Sequence, residues 1–159
     1  MVRVKNRWIL FNLQFHADDD VSTSTASIPM ILDGIHAGTV SGVLRDTVEY
    51  LFGAVAGGVA LGGVNVKYYN PLTGLGILRC LRDNHRLVWA ALTFVSRIRQ
   101  HPCKIVVIRV CGTVKKCQMA ALRWDRQGLL EARARLALTD AETATRIESS
   151  RKEIAAIEG

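Results

Sequence analysis

The sequence lacks the spacings of a metal or disulfide framework. Its four cysteines include no CxxC pair, and its four histidines form neither HxxxH nor HExxH. A zinc site, which needs such ligands close together, is therefore not expected. Several of the cysteines lie in apolar or strand-like segments, so we interpret them as small buried hydrophobic residues in a reducing compartment.

Long hydrophobic runs are also absent. The longest stretch without a formal charge, residues 50–66, contains five glycines and is shorter than the roughly 20 apolar residues of a membrane-spanning helix. Residues 8–15 include Asn12 and Gln14 and no small-residue cleavage site follows them, so neither export nor membrane insertion is expected. The glycine-rich stretch AVAGGVALGG matches neither GxGxxG nor GxxxxGK[ST]. We interpret it as a packing connector.

No catalytic constellation can be recognised in the sequence. It shows no nucleophile beside a base, no carboxylate pair in apolar surroundings and no cluster of metal ligands. The adjacent residues Asp18, Asp19 and Asp20 lack the Gly and Glu spacing of a calcium loop and indicate a solvated turn. Asp125 lies between Arg123 and Arg126, which predicts an ordinary charge pair on a helix. We therefore assign no catalytic residue and no metal ligand.

Positive charge is what the sequence does have. Twenty-one Lys and Arg residues against 14 Asp and Glu give a net charge of +7 and a pI near 9.6. Residues 79–135 carry 13 basic and three acidic residues, a local sum of +10, whereas residues 136–159 sum to −2. This balance favours RNA, DNA or a phospholipid surface as partner, although a charge run is also consistent with a solvated face.

The predicted elements follow the order β-α-β-β-α-β and then two helices. Ile9, Phe11, Leu13 and Phe15 alternate along residues 7–15, which predicts a strand with one core face. A loop is predicted at 16–40, followed by a helix that is capped by Ser41 and ends near 53–57 and by strands at 64–69 and 74–81. The next helix is capped by Asp83 or Asn84 and ends before His101, and a strand at 104–114 follows it. The last two elements are a helix at 116–138 and a helix that begins with a capping box of Thr139 and Glu142.

This order predicts an α+β protein of ferredoxin-like fold, an antiparallel sheet with two packed helices and a C-terminal helical extension. We expect one domain over residues 1–138, with the 16–40 loop inserted, and a helical tail over 139–159. The helices after the last strand either cover the other face of the sheet or extend to a neighbour.

Sequence-specific reading of single-stranded RNA is disfavoured, because aliphatic residues occupy the strand positions that would hold base-stacking aromatic rings. These positions are Leu75, Ile77 and Leu78 in one strand and Val107, Ile108 and Val110 in another. Contacts with phosphates remain, and these position a protein by shape and charge. An extended N-terminal arm would space Arg3, Lys5 and Arg7 by about 6.6–6.8 Å, close to the spacing of phosphates along a nucleic-acid strand. A frayed basic terminus is the alternative. The predicted RNA-binding residues are Arg3, Lys5, Arg7, Lys67, Arg79, Arg82, Lys115, Lys116 and Arg123.

Three separated motifs, in order, resemble one known family. They are the opening MVRVKNRWILFNL, the hairpin VKYYNPLTGLGILRC followed by LVWAAL, and VCGTVKKC followed by an Arg-rich helix. They resemble the Pop-five family, the small α/β protein subunit shared by ribonuclease P and ribonuclease MRP. The resemblance covers residues 1–15 and about 41–130. The acidic insertion at 16–40 and the final helix depart from the family's pattern.

The resemblance implies a non-catalytic subunit of a ribonucleoprotein in the nucleus and nucleolus that removes 5′ leaders from precursor tRNA and, as ribonuclease MRP, processes rRNA. The RNA would be the catalyst and would hold the magnesium ions, with no cofactor on the protein. The implied partners are the ribonuclease P/MRP RNA, a TIM-barrel-like subunit, a second copy or a paralogue of similar fold, and, indirectly, precursor tRNA. Trp89, Phe94 and Trp124 lie on helices whose apolar stripes are candidates for a protein interface.

Two other functions remain open at this point. One is a small-molecule-sensing regulatory domain of the same fold, with its ligand at a dimer interface near the glycine-rich connector. The other is a ribosomal protein or RNA chaperone, which would share the basic patches without needing an apolar partner surface.

Overall fold

The computed structural model describes residues 5–15, 34–136 and 138–158. The elements are β1 (Asn6–Phe15), α1 (Ala37–Leu61), β2 (Asn65–Tyr69), β3 (Leu75–Leu81), α2 (His85–Phe94), β4 (Arg97–Ile98), β5 (His101–Cys111), α3 (Val114–Leu136) and α4 (Asp140–Ala155). No helix among these residues is long and apolar enough to cross a membrane.

The five strands form one antiparallel sheet in the order β2-β3-β1-β5-β4. The first strand lies in the middle, between β3 and β5, and the β2–β3 hairpin forms one side of the sheet. Apart from the two-residue β4, this is the predicted ferredoxin-like arrangement, which the structure confirms.

The first face of the sheet is covered by α1 and α2. The alternating side chains of β1 predicted to share a face, Ile9, Phe11, Leu13 and Phe15, all lie in this core. Val40, Leu44 and Val48 of α1 and Val88, Ala91 and Leu92 of α2 pack against them. This half of the core therefore follows directly from the alternation in β1 and the helical spacing in α1 and α2.

The second face of the sheet is covered by α3 and α4. Trp8 and Leu10 of β1 lie there, packed with Cys117 and Ala121 of α3 and with Ile154 of α4. The prediction of a single core face for β1 was wrong, because both sides of this central strand are buried. Of the two arrangements left open for the last helices, the structure shows the one in which they cover the sheet.

Two glycines allow the central strands to approach closely. A Cβ at Gly74, which has φ +66°, would lie 2.1 Å from the Leu13 carbonyl oxygen. A Cβ at Gly76 would lie 2.1 Å from the ring of Phe11. The Leu13 N–H donates to the Gly74 carbonyl at 2.7 Å, so the β2–β3 turn is bound to β1 at this point.

Both ends of α1 differ from the sequence prediction. Helix α1 begins at Ala37 with His36 as N-cap rather than at Ser41, and it continues through the glycine-rich stretch to Leu61. Gly53, at φ +76° and ψ +165°, kinks it where the sequence predicted its end. The part of the predicted 16–40 loop at 16–33 lies outside the described residues.

The second helix is shorter than predicted. It ends at Phe94, and Val95 is already extended with φ −63° and ψ 110°. Ile98, predicted as part of the helical stripe, belongs to β4 and is buried. The turn to β5 passes through Arg99 at φ +56°. Helix α4, in contrast, has the predicted capping box, in which the Thr139 side chain accepts from the Glu142 backbone N–H at 3.3 Å.

Candidate nucleic-acid interface

Strand register brings four of the predicted RNA-binding residues to one end of the sheet. Arg7 of β1 lies opposite Cys80, and Trp8 lies opposite both Arg79 of β3 and Cys111 of β5. The Arg82 backbone N–H donates to the Lys5 carbonyl at 2.8 Å. The start of β1 and the ends of β3 and β5 therefore meet here.

The first turn of α3 adds two more cations to this end. The chain passes from Cys111 through Gly112 and Thr113 directly into α3, and a Cβ at Gly112 would lie 3.9 Å from Arg7 Nη1. Thr113 Oγ1 accepts from the Lys116 backbone N–H at 3.4 Å. The first turn of α3 contains no acidic residue. Helix N-termini carry partial positive charge, so this terminus adds to the field of Lys115 and Lys116.

We call these six residues the basic end: Lys5, Arg7, Arg79, Arg82, Lys115 and Lys116. Lys5, Arg82, Lys115 and Lys116 are exposed, and Arg7 and Arg79 are partly buried. Across the described residues, the ion pairs are Arg133 with Asp140 and Arg151 with Glu148, and neither involves the basic end. The basic end is therefore a cluster of cations without carboxylate partners in this part of the chain.

Arg79 has the most unusual surroundings of the six. Its Nε is buried and makes no hydrogen bond, and the same is true of Oδ1 of Asn6. The two residues are near neighbours, because Arg79 lies opposite Trp8 and Asn6 lies two residues before Trp8 on the same side of β1. A buried Nε–H without an acceptor is unfavourable, so an anion at Arg79 would be stabilised more than at a fully solvated arginine.

The remaining predicted RNA-binding residues lie apart from the basic end. Lys67 is exposed at the bulge of β2, where it lines a shallow cavity together with Glu153 and Glu158, which weaken its positive field. Arg123 is exposed on α3, about two helical turns beyond Lys116. Arg3 lies outside the described residues. The RNA-binding role of all nine stays a prediction.

The three candidate interface aromatics are exposed but do not share one surface. Trp89 and Phe94 lie on α2 with 45% and 66% of their surface exposed. Trp124, 47% exposed, lies on α3 across the sheet. Tyr50 and Val59 of α1 are also exposed, at 89% and 66%, and neither was singled out from the sequence, since Val59 lies in the stretch interpreted as a connector. The interface role of Trp89, Phe94 and Trp124 stays a prediction.

A buried polar cluster joins three elements around Asp125. This carboxylate, 3% exposed, accepts from Asn70 Nδ2 at 3.0 Å, from Thr73 Oγ1 at 2.9 Å and from the Ser150 hydroxyl. Ser150 Oγ lies 2.7 Å from the Tyr68 hydroxyl. The predicted charge pair of Asp125 with its neighbouring arginines was therefore wrong. No local pattern could reveal the cluster, since its members are up to 82 residues apart.

The cysteines are all free and buried, in agreement with their interpretation as small core residues. Burial raises the pKa of the Cys80 and Cys103 thiols to about 11 and that of Cys117 to about 12, since a buried thiolate loses its hydration. Such thiols are poor nucleophiles and poor metal ligands at neutral pH. Within the described ranges, no three His, Cys, Asp or Glu side chains are grouped so that they could hold a metal ion.

The chain is therefore a ferredoxin-like α+β protein whose sheet is covered on both faces, with a cluster of cations at one end of that sheet. The model of the Rpp14/Pop5 family matches residues 7–122, and the chain belongs to that family.

The sequences of curated relatives align with this chain over most of their length. The chain is 36% identical over 126 residues to the ribonuclease P/MRP protein subunit POP5 of Schizosaccharomyces pombe, covering 79% of this chain and 89% of that protein. It is 30% identical over 134 residues to the protein of the same name from Homo sapiens, covering 82% and 76%. A chain from the cryo-EM structure of yeast ribonuclease MRP aligns with a TM-score of 0.48 and 8% identity over 72% of this chain and 79% of that one. The comparisons support a subunit role and give no support to the regulatory-domain alternative.

Proposed function

We propose that this chain is a non-catalytic protein subunit of the ribonuclease P/MRP ribonucleoprotein and that its basic end binds the backbone of the catalytic RNA. The observation that carries the proposal is the convergence of β1, β3, β5 and the N-terminus of α3 on six cations without described carboxylate partners. Family membership supplies the kind of particle.

The basic end is suited to phosphates rather than to bases. Arg7 and Arg79 are held by the sheet, so less conformational entropy is lost when they bind than for a free side chain. The exposed lysines of α3 act as point charges beside a helix N-terminus. Neighbouring phosphates of a folded RNA repel one another, and cations placed between them stabilise the fold of the RNA without reading its sequence.

The chemistry is assigned to the RNA. Magnesium ions held by RNA phosphates would activate water for removal of the 5′ leader of precursor tRNA and for cleavage of rRNA precursors. The protein's part is to lower the electrostatic cost of folding that RNA core. For this role we propose that the chain acts in the nucleus and nucleolus, where precursor RNAs would be processed.

We further propose two protein partners, a TIM-barrel-like subunit of the same particle and a second copy or paralogue of similar fold. The exposed aromatics of α2 support an apolar contact on the first face of the molecule, because Trp and Phe are enriched in interface centres. Trp124 on α3 supports a separate contact on the second face.

Affinity purification of the full chain from its own cells tests this function. We expect the wild-type chain to recover ribonuclease P or MRP RNA and leader-cleaving activity that is lost on RNA removal. The double substitution Lys115→Ala with Lys116→Ala should lower RNA recovery. Arg151→Ala with Lys152→Ala is the matched control, since it also removes two exposed cations but from α4.

Cleavage by the RNA-free chain, or purification without any polynucleotide, would overturn the proposed function. An equal loss of RNA in the two double variants would instead remove the assignment to the basic end. Circular dichroism of each variant shows whether its fold is retained.

A further inference from the structure

Strand β5 is an edge of the sheet for most of its length. It has eleven residues, but its outer neighbour β4 has two. These strands pair only at Arg97 with Pro102 and Ile98 with His101, and the Cys103 N–H donates to the Ser96 carbonyl at 2.9 Å. Beyond Cys103, no strand in the described part of the chain lies on this side of β5.

The direction of the open backbone groups follows from Cys103. Its N–H points outward to Ser96, and alternate residues of an antiparallel strand point the same way, so the N–H groups of Ile105 and Val107 also point outward. The N–H groups of Lys104 and Val106 point inward, to β1, where these residues lie opposite Gln14 and Asn12. Within the described residues, Ile105 and Val107 thus present unpaired donors and acceptors at strand spacing.

Such an edge is complementary to another polypeptide strand. A row of alternating N–H and C=O groups matches the backbone of an extended peptide, whereas the phosphates of an RNA backbone offer acceptors alone. Monomeric proteins usually shorten or cover such edges, whereas the edge of β5 is long and rich in β-branched residues. Val106, 45% exposed, adds an apolar side chain beside the open groups.

The charged side chains along β5 indicate which kind of partner strand this edge can bind. Lys104 and Arg109 of β5 are exposed, as are Arg97 and Arg99 around the β4–β5 turn. Two copies of β5 in antiparallel pairing with near-complete overlap would place Lys104 opposite or next to Arg109 of the other copy, and facing like charges destabilise a sheet. A strand with acidic residues would gain cross-strand pairs at the same positions.

We propose that the outer edge of β5 receives an extended strand from a different protein, with acidic residues facing Lys104 and Arg109 and an apolar residue beside Val106. The strand would continue the sheet past the short β4. This interface lies beyond the proposed RNA contact, because it depends on backbone hydrogen bonds along a sheet edge and not on the basic end.

Amide hydrogen exchange at single-residue resolution tests the strand pairing, comparing the isolated chain with the particle purified through the tagged chain. We expect the amides of Ile105 and Val107 to exchange at least about tenfold more slowly in the particle, whereas those of Lys104 and Val106 are already slow in both. Slow exchange of the outward amides in the isolated chain would overturn the proposal, since the chain would then cover its own edge. Equal exchange in both samples would overturn it too.

A photo-crosslinking residue at Val106 in the assembled particle tests the partner. We expect a cross-link to a protein segment with acidic and apolar residues in alternation, and a strong loss of that product in the variant with Lys104→Glu and Arg109→Glu. The variant Lys152→Glu on α4 is the control and should keep the product. A cross-link to RNA or to a second copy of β5, the absence of any cross-link, or a product insensitive to charge reversal would each contradict the proposal.

Discussion

Asp125 shows how much a residue's surroundings can differ from its sequence neighbours. Between two arginines it has the pattern of a surface helix, yet it is the acceptor that joins the β2–β3 turn and α4 to α3. Its three donors are neutral groups, an amide and two hydroxyls. The carboxylate therefore functions as a structural acceptor, and the arginines beside it remain exposed to solvent.

The substitution Asp125→Ala tests this role. It leaves the Asn70 amide and the Thr73 and Ser150 hydroxyls without their acceptor, so we expect the free energy of unfolding to fall by about 2–3 kcal/mol or more in urea denaturation. Arg123→Ala is the control, because a helical charge pair would make it destabilising, and Arg123 makes no ion pair among the described residues. Equal effects of the two substitutions would contradict the role assigned to Asp125.

At the scale of elements, alternation and helical spacing were sufficient to predict the sheet and the presence of the two helices on its first face, but not the ends of those helices. The β2–β3 hairpin and β1 were predicted nearly to the residue, because Asn70 and Pro71 and the alternation in β1 are local signals. The end of α2 was not predicted correctly, because Val95 and Ile98 continue the spacing of apolar residues on one face of a helix. Burial of Ile98 in an extended segment is decided by tertiary packing.

The burial of the second face of the sheet and the assembly of the basic end also depend on tertiary packing, which the local sequence does not predict. Trp8 and Leu10 acquire their cover from α3 and α4, which lie more than 100 residues further along the chain. For the basic end, the sequence supplied the cations but not their convergence. That convergence requires the register of β1 against both β3 and β5.

The contact between β1 and β3 gives a prediction at this scale. Gly76→Ala would place its Cβ 2.1 Å from the fully buried ring of Phe11, so the strands must separate or the ring must move. We expect a loss of about 1–3 kcal/mol in the free energy of unfolding, measured by denaturant titration. Gly42→Ala in α1 is the control, since nothing lies within 4 Å of its added Cβ. In a helix that change is expected to be neutral or stabilising by up to about 1 kcal/mol. A Gly76→Ala protein as stable as the wild type would show that the strands are not so closely packed.

Across the whole molecule, the net charge of +7 is not distributed evenly. Six cations without described carboxylate partners meet at one end of the sheet, and the positive charge of Lys67, on the far side of β3, is offset by Glu153 of α4 and by Glu158, which follows that helix. The two proposed binding surfaces are therefore separate: RNA is expected at the basic end, and a protein strand is expected at the edge of β5. A protein with these two surfaces is suited to linking a folded RNA to the other proteins of its particle.

This asymmetry predicts a steep salt dependence of RNA binding. If the six cations of the basic end each neutralise one phosphate, the logarithm of the association constant should fall with the logarithm of salt concentration with a slope of about −5. Affinity would then drop roughly 1,000-fold between about 50 and 200 mM salt. Filter binding with ribonuclease P or MRP RNA measures the slope, and Lys115→Ala with Lys116→Ala should make it shallower by about 2. Arg151→Ala with Lys152→Ala should leave it unchanged. A slope near zero in the wild-type chain would be inconsistent with a phosphate-binding surface, because a site that recognises its ligand by shape and neutral hydrogen bonds releases few counterions.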